Sequence, residues 1–145
     1  MSHQLPDQVR TPHVAFVGRA NIDITVRIPQ RPVAGRTTFA SSPATTTPGG
    51  KSLNQALAAR QAGVRASLIT NVGDDEWGAS LSRALTNAAI DMSFLQVVPS
   101  APTGTAIIEI TPDARTTSSS HTPQRLSSPA SMCATHFSSY ELRSW

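Results

Sequence analysis

Apolar runs that alternate with amphipathic helical stretches predict an α/β fold built on a parallel sheet. His13–Gly18 is short, continuous and apolar, as a strand buried on both faces must be. Apolar side chains then recur at helical spacing from about residue 51 to 62 and again from about 76 to 89. Short connections give the order strand, helix, strand, helix, strand, which is the pattern of parallel β units joined by helical crossovers.

Taken in order, residues 1–12 are polar and read as a disordered leader, without the hydrophobic core of a signal peptide. His13–Gly18 is the first strand. Ile24, Val26 and Ile28 alternate with Thr25 and Arg27, the period of a half-exposed strand. The stretch Pro29–Pro48 is rich in Pro, Thr and Ser, with a short strand expected near 36–41. The first helix is expected over Lys51–Ala62, with Leu53, Ala56, Leu57 and Ala59 facing inward and Gly63 as its left-handed stop. Ala66–Asn71 reads as the next buried strand and Gly73-Asp74-Asp75 as a turn, one of whose aspartates caps the second helix. Trp77, Leu81, Ala84, Leu85 and Ala88 form the apolar stripe of that helix. Ser93–Val98 is expected as a third parallel strand and Gly104–Ile110 as a half-exposed one. Beyond Asp113 come runs such as Thr116-Thr117-Ser118-Ser119-Ser120 with no apolar periodicity, and residues 114–145 are expected to be a disordered tail.

The 145 residues have the length of one ordinary domain. Charged residues are 14% and aromatics 5%, so the core must rest on Ala, Val, Leu and Ile. A net charge of +3 raises the possibility of nucleic-acid binding, but the arginines are scattered from Arg10 to Arg143 with no run among them. Patches that hold a phosphate backbone are clustered and interleaved with aromatics, so no nucleic-acid partner is expected. Cys133 is alone, which excludes an internal disulfide and a cysteine-rich metal site. No apolar run approaches the roughly 20 residues of a membrane helix, so the chain reads as cytoplasmic, with no membrane partner.

Chemistry concentrates at Gly49-Gly50-Lys51-Ser52-Leu53-Asn54. Lys51 is the only lysine of the chain. Paired glycines let a ligand approach the backbone, and a helix starting after them aims free N–H groups at it. Lys51 and Asn54 lie three apart and share a helix face. Such a site suits a polyhydroxylated or phosphorylated small molecule. Gly50-Lys51-Ser52 also ends like a P-loop, but Thr45 stands where that loop requires glycine. Asn21 and Asp23 follow the first strand. Two apart, they can form a clamp for hydroxyl groups, or else simply a turn that bonds its own backbone. Asp74, Asp75 and Glu76 are better explained by capping than by metal, and Thr103 and Thr105 read as strand residues. His13, His121 and His136 lack partner spacing and are read as incidental; His3 lies in the leader.

In register, these pieces resemble the ribokinase-like (PfkB) carbohydrate kinases. Val14–Asp23 is similar to that family's first strand and its Asn-x-Asp substrate motif. Gly49-Gly50-Lys51-x-x-Asn54-x-Ala56, with Gly63 and Gly73, resembles the family's N-terminal signature. Asn71-Val72-Gly73-Asp74-Asp75-Glu76-Trp77-Gly78 is similar to its Val-Gly-Asp-Asp-x-x-Gly turn, and Pro102–Ala106 to a segment of its substrate lid. The resemblance covers about residues 13–113, is nearest the ribokinase branch, and implies a partial Rossmann-like parallel sheet with helices and a small β lid. Ser52 departs from the family, which usually carries glycine there, and its hydroxymethyl group is expected to narrow the sugar pocket.

The resemblance implies transfer of the ATP γ-phosphoryl group to a sugar hydroxyl, ribose above all, with Mg²⁺ and a possible monovalent cation as cofactors. Asn21, Asp23, Gly49, Gly50, Lys51 and Asn54 match the sugar-binding side. The family's Gly-Ala-Gly-Asp loop, with its catalytic aspartate, has no match, nor do its nucleotide and cation sites, so the chain alone is expected to be inactive. A homodimer through the lid strands is a further implication. One permitted set of codons for residues 114–121, entered two bases later, reads Glu-Asn-Asn-Ile-Ile-Val-Thr, which resembles the family's next strand. The tail is therefore expected to be frameshifted. A non-catalytic sugar-binding remnant and a small basic nucleic-acid-binding protein are the competing readings.

Overall fold

In the computed structural model, which describes residues 12–113 and 116–121, the chain forms two sheets and two helices. Strands β1 (His13–Val17), β4 (Arg65–Gly73) and β5 (Leu95–Val98) make a three-stranded parallel sheet in the order β1-β4-β5. Helices α1 (Lys51–Gln61) and α2 (Glu76–Asn87) precede β4 and β5 as crossovers. Strands β2 (Asn21–Arg27), β3 (Thr45–Gly49), β6 (Thr105–Ile110) and β7 (Thr116–His121) form a second sheet in the order β3-β2-β6-β7. Within it β2 and β6 are parallel, and the outer strands are antiparallel to them.

The core lies between the parallel sheet and the helices. Leu53 and Ala56 of α1 and Leu81 and Leu85 of α2 meet Ala66, Leu68 and Val72 of β4, with Ala20 and Ile22 closing one end. Leu57 and Ala59 pack at its margin, while Trp77 lies outside it at 37% exposure, in the first turn of α2. β4 is buried along almost its whole length because strands flank it on both sides. Helix α1 ends on Gly63 at φ 80°, with Val64 N–H donating to the Ala59 carbonyl and Gly63 N–H to that of Arg60. No helix among the described residues is long and apolar enough to cross a membrane.

β1, expected to be buried on both faces, is exposed along most of its length, and three further elements differ from the sequence expectation. No strand forms at 36–41; the edge strand is instead β3, Thr-Thr-Thr-Pro-Gly, where β-branched threonines favour extended backbone. Pro48 is tolerated there because β3 pairs on one side only. Second, β2 starts at Asn21 rather than near Ile24, so Asn21 and Asp23 are ladder residues and the turn reading is excluded. Third, Thr116–His121 of the expected disordered tail pairs with β6, from Ile110↔Thr116 to Thr105↔His121. An open strand edge needs only backbone groups to be satisfied, and threonine suits the pleat. The rest of the expected tail, 122–145, and the leader 1–11 lie outside the described residues.

Of the two candidate caps of α2, Asp75 is the one used: its side chain accepts from Gly78 N–H at 2.8 Å. Asp75 also ties the two sheets together. Its carboxylate accepts from Thr103 N–H at 2.8 Å and from Thr103 Oγ1 at 2.5 Å, and Thr103 Oγ1 accepts from Gly73 N–H at 3.0 Å. Thr103 is therefore a buried link before β6 rather than a strand residue. Partial burial pushes the Asp75 carboxyl upward, but the bonds from Thr103 and Gly78 outweigh it and its pKa lies below the usual 3.8. A lowered pKa contributes stability above about pH 4 that is lost as the pH falls through the folded-state value. Asp75→Ala is expected to cost about 1–2 kcal/mol at pH 7 by chemical denaturation, a gap that shrinks below pH 4. An equal gap at pH 7 and pH 3 would contradict this account.

Candidate functional site

The site forms where β2, β3 and the start of α1 meet. Asn21 and Asp23 are two apart on β2 and so project from one face. Asn21 Nδ2 donates to Asp23 Oδ1 at 2.6 Å, which fixes both side chains and leaves the second carboxylate oxygen uncommitted by that bond. Across the ladder, Asn21 pairs with Gly49 and Asp23 with Thr47.

Both glycines are required by this approach. A Cβ on Gly49 would collide with the Asp23 carboxylate. One on Gly50 would stand 2.5 Å from the Arg19 carbonyl oxygen and 2.9 Å from Asn21 Oδ1, and Gly50 also sits at φ 108°, which L side chains rarely adopt. Gly50 is the N-cap of α1 and caps it with no side chain; the first turn holds no acidic residue. The helix therefore starts with its N–H groups and positive dipole end beside the Asn21–Asp23 pair. Lys51 and Asn54 are exposed on this first turn, and neither side chain bonds another described residue.

The structure thus brings together Asn21, Asp23, Gly49 and Gly50, and places Lys51 and Asn54 on the helical turn that follows. Ser52 behaves differently from the expectation that it narrows the pocket. It is buried, and its hydroxyl donates to the Val17 carbonyl at 3.2 Å. One residue along a helix is a 100° rotation, so Ser52 faces β1 while Lys51 and Asn54 face away from it. It packs against Gly18, where a Cβ would collide with its hydroxyl.

The linking roles of Thr70 and Thr103 escaped the sequence reading, which took Thr103 as a strand residue. Ala20 N–H donates to Thr70 Oγ1 at 3.2 Å, holding the entry to β2, as Thr103 holds the entry to β6. Nothing in the local sequence around either threonine marks such a role; only the non-local pairing does. Among the described residues no group of three or more His, Cys, Asp or Glu is placed to hold a metal ion.

Residues 11–129 match the family described as pfkB family carbohydrate kinase. The ribokinase of Bacillus subtilis (strain 168) is 32% identical over 96 residues, which is 66% of this chain and 32% of that protein. The 2-dehydro-3-deoxygluconokinase of Thermoproteus tenax is 42% identical over 60 residues, 41% of this chain and 18% of its own length. Among solved structures, Arabidopsis thaliana ribokinase complexed with ribose and ATP superposes with a TM-score of 0.66 at 28% identity, covering 77% of this chain and 36% of that one. The chain spans about a third or less of the length of the curated relatives it matches.

Gly49→Ala is expected to lower the unfolding free energy by about 1–3 kcal/mol, the usual cost of overpacking. Gly49 has ordinary backbone angles, so the cost reports space alone. In a double-mutant cycle, Gly49→Ala made on an Asp23→Gly background should cost less than on the natural chain. Strict additivity would show that the carboxylate does not occupy the space beside Gly49.

Proposed function

The chain belongs to the pfkB family of carbohydrate kinases, and we propose that it forms the sugar-binding part of an ATP-dependent kinase acting on ribose. The observation that carries this reading is the fixed Asn21–Asp23 pair lying against two glycines and the uncapped start of α1. A carboxylate held at one oxygen can accept sugar hydroxyl protons at the other, and the Asn21 amide keeps an oxygen as a further acceptor. Lys51, Asn54 and the free N–H groups of the first helical turn supply the donors that hydroxyl oxygens require. Ribose is preferred because ribokinases stand among the relatives and the Arabidopsis structure holds ribose and ATP.

ATP supplies the phosphoryl group when bound. In this reading Mg²⁺, ATP and the catalytic base belong to the portion of the relatives' length that this chain does not span, because the sequence holds no Gly-Ala-Gly-Asp loop. What Asn21, Asp23, Gly49, Gly50, Lys51 and Asn54 do in this reading is hold and orient the sugar, which contributes positioning to a phosphoryl transfer. The second sheet serves as a lid over the sugar, and its strands offer a surface for a homodimer. Residues 114–145 are read as a frameshifted tail, which sequencing of the coding DNA would test.

Titration calorimetry should show D-ribose binding to this chain, abolished by Asp23→Ala, with RNA giving no heat. Ribose binding that survives Asp23→Ala would refute the clamp. The chain alone should give no ATP-dependent phosphorylation of ribose; turnover abolished by Asp23→Ala would place a base within it. In a kinase carrying these residues at full family length, Asp23→Ala should lower kcat/KM for the sugar by roughly ten- to a few thousand-fold, the loss of one or two charge-assisted hydrogen bonds. ATP affinity should hardly move; an equal fall in both would make Asp23 structural.

A further inference from the structure

A cavity of about 300 Å³ opens at the opposite end of the parallel sheet, lined by His13, Arg60, Arg65, Ala66, Ala89, Ile90 and Asp91. His13 begins β1, Arg65 begins β4, and Arg60 lies in the last turn of α1, whose first residue is Lys51. At 1.5 Å per residue, α1 separates this cavity from the sugar-side residues by roughly 15 Å. Nothing in the sugar site reaches it.

Its charges are arranged unequally. Arg60 is held by carbonyls: Nε donates to Ala88 O at 3.4 Å and Nη1 to Val64 O at 3.2 Å. That fixes the guanidinium plane and leaves its remaining N–H groups for a ligand. Arg65 is exposed, and its side chain bonds no other described residue. The one carboxylate, Asp91, is already engaged. It accepts from Ser67 Oγ at 2.9 Å, from Ser93 N–H at 2.9 Å and from Ser93 Oγ at 2.6 Å. Because Ser67 donates to Asp91, the 2.7 Å contact between His13 Nε2 and Ser67 Oγ has the imidazole as donor. His13, read from the sequence as incidental, is thus oriented by a bonded chain at the cavity wall.

We propose that this cavity binds a small phosphate-bearing anion, gripped by Arg60 and Arg65 with His13 beside them. Two guanidinium groups carried by different elements suit a tetrahedral dianion with several acceptor oxygens better than a planar carboxylate, which a single arginine fork satisfies. With Asp91 counted against the two arginines the cavity keeps a net positive charge. Its volume, at the lower bound for small-molecule sites, admits a phosphate with a short organic substituent. The inference stands on these residues and is independent of the kinase reading.

Calorimetry on the 145-residue chain with inorganic phosphate, and separately with glycerol 3-phosphate, at constant ionic strength set by chloride, tests it. Saturable one-site binding is expected, unchanged by Lys51→Ala and weakened about tenfold or more by Arg65→Ala. Ala89→Asp, which sets a carboxylate at the cavity in a backbone conformation that aspartate accepts, should weaken it likewise and covers the case that Arg65→Ala does not fold. Tighter binding of the ester than of phosphate would identify a phosphorylated metabolite as the source, and equal binding would identify free phosphate. Binding lost in Lys51→Ala but intact in Arg65→Ala or Ala89→Asp, or no heat beyond that of chloride, would overturn the proposal.

Discussion

The close passage of the Gly49-Gly50 backbone against β2 is the constraint on which the rest of the structure depends. At that point the chain leaves the second sheet and enters α1, and it can do so only where no Cβ intervenes. The same contact sets Asn21 and Asp23 against the start of a helix that no side chain caps. Site and fold therefore share one steric condition. A side chain at either glycine would push apart the elements that meet at the candidate site.

The chain crosses between its two sheets three times, and each crossing is held by a small buried hydroxyl. Thr70 receives the backbone of Ala20 on the way into β2, Ser52 bonds Val17 where β3 gives way to α1, and Thr103 bonds Gly73 and Asp75 on the way into β6. Hydroxyl groups suit these places because they can satisfy an otherwise orphaned backbone group within a tight core. Gly73 and Gly78 belong to the third crossing: a Cβ on Gly73 would strike the backbone of residues 101–103, and one on Gly78 the carbonyl of Gly73. The second sheet is thus tethered to the first at three points.

The outer side of β1 contrasts with this tethering. Val14 and Val17 are 41% and 42% exposed in an apolar strand that pairs only with β4 among the described residues. A parallel strand of such composition is normally covered on both faces and both edges. The Bacillus subtilis and Arabidopsis thaliana ribokinases are each about three times as long as the stretch they share with this chain.

Much of the architecture was legible in the sequence because it rests on local signals. Periodicity located α1 and α2 within a residue or two, continuous apolar runs marked β1 and β4, and Gly63 marked a helix end. The Gly-Gly-Lys-x-x-Asn and Asn-x-Asp spacings also singled out residues that the structure brings together at the candidate site, Asn21, Asp23, Gly49 and Gly50. Tertiary structure alone decided what depends on partners distant in sequence. It made Asn21 and Asp23 ladder residues, put the edge strand at Thr45–Gly49, and turned Ser52 away from the site toward Val17. It paired polar Thr116–His121 with β6 and joined His13, Ser67 and Asp91 across 54 and 24 residues. Strand edges and buried hydroxyls are satisfied by geometry rather than by hydrophobicity, so no periodic pattern in the chain announces them.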